Sequence, residues 1–489
     1  MIEKYYSGVI EQIYNRIGKE TRNIVMANYS NDFSIENLEV IRRYQSNEDN
    51  VFFAYSEFSY NTLVGAYEPF LDIICNMHRR FIGGSFDDFQ KECGVYYLHR
   101  QVLNSYYETG ECFREETVLL NEVAYEQRRM TMAIADMLKR LSEVRPLMIV
   151  INRFQMASKS SIETIKYLID NPCANIGIVL GVNAIVKGTD STVEVWDRIV
   201  ESLEDRSAIY YIGSAGSLKN NIKNTNDDEL YITTNFEQSI QEASNIMEFL
   251  DFEQARRGCR IIEHKLKFED AWIDEKSLRR FYLVYARTCV LLGEMSKAIE
   301  LTNEYKALIP ENDSEHYLSL YYFMKGTCYM YQGKLEKAGN SAKSAYDYAV
   351  LAEDDTLIFK AELLSVMIKM SGWYNIFFCV QDIPVSDEII EKLIKHGYRN
   401  HLAHIYIYAY DNSRDVVKQS FYDESLLKHF TKGLELAKEI GNEQLVYDAY
   451  QKTIMLASTS GLNEIAFLYV IRTYEFMKGH GNIYVARVL

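Results

Sequence analysis

The sequence predicts an α/β domain with a parallel sheet, followed by an all-α solenoid. Three observations support this prediction. Short apolar runs alternate with longer helical segments up to about residue 215, the strand signal then disappears, and helical periodicity continues from about residue 236. Apolar strands that alternate with helices are typical of a parallel sheet covered on both faces. We expect domains at 1–218 and 236–489, joined by a linker at 219–235.

The strands of the first domain are predicted from short apolar runs bounded by polar residues. These runs are Asn23 to Asn28, Val51 to Tyr55, Leu147 to Asn152, Ile176 to Asn183 and Ala208 to Gly213. The stretch from 69 to 145 has helical periodicity, and its clearest amphipathic helix is predicted at 112–140. The Asn- and Asp-rich stretch 219–228 marks the linker.

The second domain repeats a glycine five residues before an alanine. A small residue at a turn between helices, and an alanine where two helices press together, are typical of tetratricopeptide-like repeats. A looser copy at Leu250 to Ala255 has Asp251 in place of the glycine, and Gly372 continues the spacing. We expect this solenoid to fold without the first half. The repeated pairs are Gly293 and Ala298, Gly333 and Ala338, and Gly461 and Ala466.

The segment 23–38 has the position, but not the residues, of a phosphate-binding loop. A short apolar strand, a loop and a helix start follow one another, which is the context of a GxxxxGK[ST] motif. A carboxylate stands where backbone amides and an ammonium group would meet phosphate. The segment therefore predicts P-loop architecture without its chemistry. In this alignment Ala27 and Asp32 take the glycine positions, Phe33 takes the lysine position, and only Ser34 matches.

With these features the chain resembles the STAND class of AAA/P-loop signal-transduction NTPases, in particular bacterial members with tetratricopeptide repeats. The resemblance rests on the loop at 27–34, on the segment 52–71, and on the segment 145–168, which is similar to a Walker B region. Where that family has acidic residues that hold Mg²⁺, this chain has Asn152 and Arg153. An amide and a guanidinium cannot hold Mg²⁺ as carboxylates do.

Further departures from the family concern its sensor and its lid. Asn183 stands near the place of the arginine that usually ends the fourth strand, and Ser158 replaces the later acidic residue. The family's winged-helix domain has no counterpart between the linker and the repeats. The resemblance with these departures implies a pseudo-NTPase and not an enzyme, with no catalytic residue, no metal and no cofactor.

The expected function is that of a regulatory or scaffold protein of bacterial signalling, which recognises a protein or peptide through its helical repeats. One alternative is the sensor portion of a transcription activator or signalling enzyme whose effector domain lies outside this chain. A second alternative is a functional NTPase with unorthodox ligands. Tyrosine-rich runs are candidate partner-binding residues because amphipathic aromatics recognise peptides well. They are Tyr321, Tyr322, Tyr406, Tyr408 and Tyr410.

Composition narrows the remaining function classes. The net charge of -16 disfavours direct nucleic-acid binding, which needs a positive face. No apolar run is long enough for a membrane span, and no signal peptide is visible, so a cytoplasmic location is expected.

The 8 cysteines include no CxxC pair, so neither a zinc site nor a redox motif is predicted. His396, His401 and His404 are interpreted as a surface cluster at a helix start.

The end of the sequence predicts an uncovered apolar face. The last clear hairpin, at about 443–478, is followed by a segment with apolar residues at 483, 485, 488 and 489, and not by a polar capping helix. We expect the face from Ile465 to Phe476 to be covered by a partner, by a second copy of the chain in a homodimer, or by residues of a longer protein.

Overall fold

The apolar runs of the first half form one parallel sheet in a computed structural model of the chain. Residue contacts divide the chain into two compact units, the first with residues 1–114 and 123–284 and the second with 115–122 and 285–489. The structure describes residues 2–29, 38–46, 50–59, 63–116, 118, 122–183, 199–203, 209–212, 236–268, 273–312, 314–374, 387–409, 424–459 and 461–480.

The sheet of the first unit has five parallel strands in the order β2-β3-β4-β1-β5. All five predicted strands are found, each within two residues of its predicted ends. β3 and β4 are buried at every residue, as expected for strands whose sequences are continuous apolar runs. The strands are β1 (Ile24–Tyr29), β2 (Phe52–Glu57), β3 (Leu147–Asn152), β4 (Ile176–Asn183) and β5 (Ile209–Ile212).

The register of the sheet brings its strand ends together. Glu57 at the end of β2 pairs with Asn152 at the end of β3. Tyr29 at the end of β1 pairs with Asn183 at the end of β4. The carboxyl ends of parallel strands form the edge at which open α/β sheets bind ligands. This edge therefore contains the region of the predicted nucleotide motifs.

Helices precede, connect and follow the strands of the first unit. α1 packs Tyr6, Ile10 and Ile13 into the same apolar core as β1 and β4. The first nine helices are α1 (Ile2–Arg16), α2 (Glu39–Ser46), α3 (Phe70–Met77), α4 (Phe86–Glu92), α5 (Tyr97–Thr109), α6 (Val123–Val144), α7 (Lys159–Asp170), α8 (Phe236–Glu248) and α9 (Phe252–Phe268). The division between the two units falls within α10 (Glu275–Leu291).

The second unit is a series of helices in which sequence neighbours pack against each other. The predicted all-α repeat architecture is thus present. The helices are α11 (Met295–Ala307), α12 (Ser314–Tyr331), α13 (Leu335–Leu351), α14 (Asp355–Tyr374), α15 (Asp387–Lys395), α16 (Arg399–His404), α17 (Glu424–Ile440), α18 (Glu443–Thr459) and α19 (Asn463–His480). A π-helical turn, Ile405–Ala409, continues α16.

The predicted turn glycines have positive φ angles, a backbone conformation that strains glycine less than other residues. Gly293, Gly333 and Gly461 have φ of +77°, +70° and +75°, in the left-handed region. The matching alanines are buried between helices, as predicted. Gly372 does not form a turn, because it lies inside α14, which continues to Tyr374. A helix accepts an internal glycine at a cost of about 1 kcal/mol relative to alanine.

The helix predicted at 112–140 begins only at Val123. Residues 112–116 and 118 are not helical, and Glu115 to Glu122 belong to the second unit. Glu116 and Glu122 are buried there in hydrogen bonds to residues beyond position 399. Tertiary contacts have therefore overridden the helical periodicity of this segment.

The α8–α9 hairpin belongs to the first unit, whereas the sequence placed it in the repeat domain. Its turn residue with positive φ is Leu250, at +67°, and not Asp251. The Asp251 carboxylate accepts a hydrogen bond from the Ser160 amide at 3.1 Å. The Gln254 side chain donates to the Val64 carbonyl at 3.0 Å. The predicted linker at 219–235 lies outside the described residues.

Within the described ranges, no helix combines the length and the apolar character that a membrane crossing requires.

Candidate functional site

The strand and the helix that were predicted to flank a phosphate-binding loop lie on either side of residues 30–37. Ala27 is fully buried in β1, where it pairs with Gly181 of β4, and α2 follows at Glu39. β1 lies inside the sheet, between β4 and β5. The predicted loop residues Asp32, Phe33 and Ser34 lie outside the described residues.

Asn152, at the predicted Walker B position, is buried at the end of β3 and hydrogen bonded. The Tyr29 hydroxyl donates to the Asn152 Oδ1 atom at 2.5 Å. A Cβ added at Gly181 would lie 2.8 Å from that oxygen and closer still to the Tyr6 hydroxyl. The absence of a side chain at Gly181 therefore leaves room for this cluster of phenols and amide.

Arg153 follows Asn152 in a left-handed backbone conformation, with φ of +55°. Its Nη1 atom lies 3.0 Å from Glu57 Oε1, and the Tyr55 hydroxyl donates to the other oxygen of Glu57. A non-glycine residue with this backbone costs of order 1–3 kcal/mol, and such residues cluster at active sites, ligand clamps and switch regions. The guanidinium neutralises the Glu57 carboxylate at the end of the neighbouring strand.

Burial favours the neutral form of the Tyr6 phenol at this edge. Desolvation raises the pKa of the Tyr6 phenol well above its ordinary value of 10, and the nearby Tyr29, Tyr55 and Glu57 raise it further. The described ranges contain no group of three or more His, Cys, Asp or Glu side chains that would hold a metal ion. The edge presents phenols, an amide and one neutralised carboxylate.

The tyrosines predicted to bind a partner are largely engaged within the second unit. Tyr321 is 2% exposed, and its hydroxyl accepts a hydrogen bond from Lys325 at 2.8 Å. Tyr322 stacks on Tyr348, with ring centroids 5.5 Å apart. Tyr406 is buried in an apolar cluster, the Tyr408 hydroxyl donates to Asp448 at 2.8 Å, and Tyr410 lies outside the described residues. Burial of Tyr321 and Tyr406 argues against direct partner contact by these two rings.

A groove of about 330 Å³ lies between α13, α14 and α15. Its apolar part consists of Val366, Ile389 and the ring of Tyr346, which is 38% exposed. No sequence pattern predicts this groove. Its lysines are single charged residues on three helices, and no local pattern distinguishes them from other exposed lysines. The charged side chains that line it are Lys343, Lys369, Lys392, Glu362 and Glu388.

The charges of the groove are not balanced. Lys392 lies 2.7 Å from Glu362 Oε2 and 3.1 Å from Glu388 Oε1, and these hydrogen bonds raise the pKa of its ammonium group. Among the described residues, Lys343 and Lys369 have no ion-pair partner. The groove therefore presents two exposed ammonium groups beside an apolar floor.

A second polar cluster of this unit is closed to solvent. We name Glu116, Glu122, Asn400, His401, His404 and Asn442 the Glu-His cluster; all six residues are buried. His401 Nδ1 lies 2.6 Å from Glu116 Oε1, and His404 Nε2 lies 2.9 Å from Glu122 Oε1. These histidines were expected at the surface. They are instead buried, and a carboxylate from the distant segment 115–122 pairs with one ring nitrogen of each.

The buried Glu122 carboxylate accepts several hydrogen bonds. Asn442 Nδ2 donates to its Oε1 atom at 3.0 Å and also to Asn400 Oδ1 at 2.7 Å. Burial alone would raise the pKa of Glu122, but His404 and the two asparagines lower it to about 2. Burial opposes protonation of His404, yet the nearby Glu122 raises the pKa of His404 above its ordinary value. Both shifts favour the charged forms of the pair.

Comparison with known proteins gives no family and only a weak likeness to solved structures. No protein-family model and no curated protein matches the chain. Among solved structures, the chain is similar to a Rap protein complexed with competence and sporulation factor, at 11% sequence identity and a TM-score of 0.35, over 84% of this chain and 98% of that one. Both values are low, so this likeness says nothing about the function of the chain.

Proposed function

We propose that this chain is a regulatory or scaffold protein that binds a protein or peptide segment in the groove between α13, α14 and α15. The observation that carries the proposal is the pair of lysines, Lys343 and Lys369, beside an apolar floor. Charged side chains at the rim and aromatic or aliphatic side chains at the centre are the usual arrangement of a peptide-binding surface.

The chemistry of the groove favours a segment with carboxylate side chains. Lys343 and Lys369 offer ammonium groups that no described carboxylate neutralises, whereas Lys392 is already held by Glu362. Val366 and Ile389 offer an apolar surface. An apolar residue of the bound segment, flanked by two acidic residues of that segment, would pack against this surface. Opposite charge at the rim selects the partner and speeds association, and apolar burial adds affinity.

Reversal of the two groove charges is expected to weaken binding of acidic peptides. We expect Lys343→Glu/Lys369→Glu to raise the Kd of the best binder from an array of acidic peptides about tenfold, because two weak attractions become repulsions. Fluorescence anisotropy with that labelled peptide measures the change. Lys334→Glu is the matched control, since Lys334 is an exposed lysine outside the groove, and its Kd should stay at the wild-type value. Equal binding by all three proteins would exclude the groove as the site.

We further propose that the first unit is a degenerate STAND/AAA-like domain without NTPase activity. The strand-loop-helix context at β1 supports the P-loop origin. The substitution of Asn152 and Arg153 for carboxylates supports the loss of Mg²⁺ binding, since a guanidinium repels the cation. The hydrogen bond from Tyr29 to Asn152, and the ion pair of Arg153 with Glu57, give these residues structural partners.

Calorimetric titration with Mg²⁺-ATP is expected to show no saturable heat at millimolar nucleotide. The physical reason is the joint replacement of phosphate and Mg²⁺ contacts at Asp32, Phe33, Asn152 and Arg153. Titration with ATP in the presence of EDTA is the control, and it should give the same trace. Saturable binding in the low micromolar range would contradict the pseudo-NTPase proposal and favour an NTPase with unorthodox ligands.

A further inference from the structure

The last described helix, α19, exposes a stripe of large apolar side chains. We name Phe467, Leu468, Ile471 and Tyr474 the α19 stripe; their exposed fractions are 66%, 45%, 40% and 61%. Positions 467, 471 and 474 are spaced by four and three residues, so they lie along one side of the helix. Exposed apolar residues that are scattered singly are normal, but a contiguous stripe marks an interaction surface.

The opposite side of α19 is buried within the second unit. Ala466, Thr473 and Met477 are buried, and α19 packs against α18. Phe476 also faces this side, where its ring lies 6.0 Å from that of Tyr450, and it is not part of the stripe. The stripe is therefore a second face of the helix, beyond the α18–α19 hairpin.

Two charged residues bracket the stripe symmetrically. Glu464 and Lys478 each lie seven residues from Ile471, which places all three on the same side of the helix. Each charge is about 10 Å from Ile471 along the helix axis, at 1.5 Å per residue. Both side chains are exposed, and neither has an ion-pair partner among the described residues.

We propose that a second copy of this chain covers the α19 stripe, with the two α19 helices antiparallel and crossing at Ile471. In that arrangement Glu464 of each copy lies opposite Lys478 of the other, and Leu468 lies opposite Tyr474. A parallel arrangement would instead oppose glutamate to glutamate and lysine to lysine. The same surface on both copies makes a self-complementary contact with two-fold symmetry, the commonest form of dimer.

The proposed contact is small, and this sets the expected affinity. Stable interfaces bury about 1,200–2,000 Å² in total, and one pair of helices supplies an area at or below the low end of this range. We therefore expect a reversible dimer with a Kd on the order of micromolar. The monomer-dimer equilibrium should be visible over an accessible range of protein concentration.

Sedimentation of the full chain tests the proposal. The wild type should form dimers as its concentration rises, and Ile471→Glu should raise the dimer Kd at least about tenfold, because it places a carboxylate in the apolar contact. Leu351→Glu is the matched control, since Leu351 is a 67% exposed leucine of α13 outside the stripe, and this change should leave the equilibrium unaltered. A wild type that stays monomeric near 100 µM (an order-of-magnitude limit), or a dimer that survives Ile471→Glu, overturns the proposal.

Charge reversal tests the antiparallel register independently of folding defects. Glu464→Lys and Lys478→Glu should each weaken the dimer, because each change opposes like charges. The double variant Glu464→Lys/Lys478→Glu restores both pairs and should recover the wild-type Kd. Single variants that weaken the dimer without recovery in the double variant would overturn the proposed register, and recovery would support it.

Discussion

Glu122→Ala is expected to lower the free energy of unfolding of the second unit by about 3–5 kcal/mol. Removing one partner of a buried ion pair leaves the other as an uncompensated charge, and that cost is typically of this size. In this case the charge left behind is His404, and the hydrogen bonds from Asn442 and Asn400 to Glu122 are lost as well. Chemical unfolding followed by circular dichroism measures the change.

The matched control for this variant is Glu115→Ala, in the same segment. Glu115 is exposed, and its backbone carbonyl, which a substitution keeps, accepts the hydrogen bond from Tyr398. Surface substitutions of this kind usually change stability by no more than about 0.5 kcal/mol. A loss below 1 kcal/mol (roughly the net value of one ordinary hydrogen bond) for Glu122→Ala would show that the Glu-His cluster does not hold this unit together.

The same variant should show a defined pH dependence. The lowered pKa of Glu122 contributes stability that is complete above its ordinary value of 4.5 and is lost as the pH falls towards 2. The raised pKa of His404 contributes stability that is complete below its ordinary value of 6.5 and is lost as the pH rises through the raised value. The difference between wild type and Glu122→Ala should therefore be largest between about pH 4.5 and 6.5.

Other charged groups around His404 modify this dependence. Asp448 is buried beside His404, and desolvation raises the pKa of the Asp448 carboxyl. The Glu116 carboxylate raises the pKa of the His404 imidazole. The Lys452 ammonium group donates to the Ile407 carbonyl on the adjoining turn. His404→Gln removes the titrating imidazole and should flatten the alkaline limb of the stability curve. An unchanged alkaline limb in that variant would assign the dependence to another group.

A fragment of residues 231–489 is expected to lose the ordered structure of α8 and α9. In the full chain this hairpin buries Phe249 and Phe252 within the first unit, and Gln127 donates to the Leu250 carbonyl at 2.7 Å. Without residues 1–230, those apolar and polar groups face water. The sequence alone favoured independent folding from about residue 236, and the contacts of α8 and α9 favour the opposite result.

Hydrogen exchange measures this effect within a single fragment. Amides of 236–268 should lose protection about 100-fold or more relative to the full chain, since their local opening no longer breaks buried contacts. Amides of α12 and α13 serve as the internal control, because these helices pack against each other within the second unit. Equal protection of 236–268 in fragment and full chain would show that the hairpin folds with the repeats.

Local sequence patterns determined much of the fold. β3 and β4 are buried on both faces, so their continuous apolar runs identify them without reference to any neighbour. Gly293, Gly333 and Gly461 mark helix turns because a left-handed backbone strains other residues. The proposed replacement of Walker B carboxylates by Asn152 and Arg153 also rests on a short stretch of sequence. Each of these features depends on a short stretch of chain.

Only the tertiary structure decided where distant charges meet. Glu122 and His404 are separated by 282 positions, and the period of a helix shows which face is apolar but not which segment covers it. For the same reason the tyrosine-rich run that singled out Tyr321 did not distinguish a core ring from an exposed one. Lys343 and Lys369 have no local signal at all. The role proposed for them arises because α13, α14 and α15 place two ammonium groups, neither in an ion pair with a described residue, beside one apolar floor. This arrangement exists only after the helices have packed.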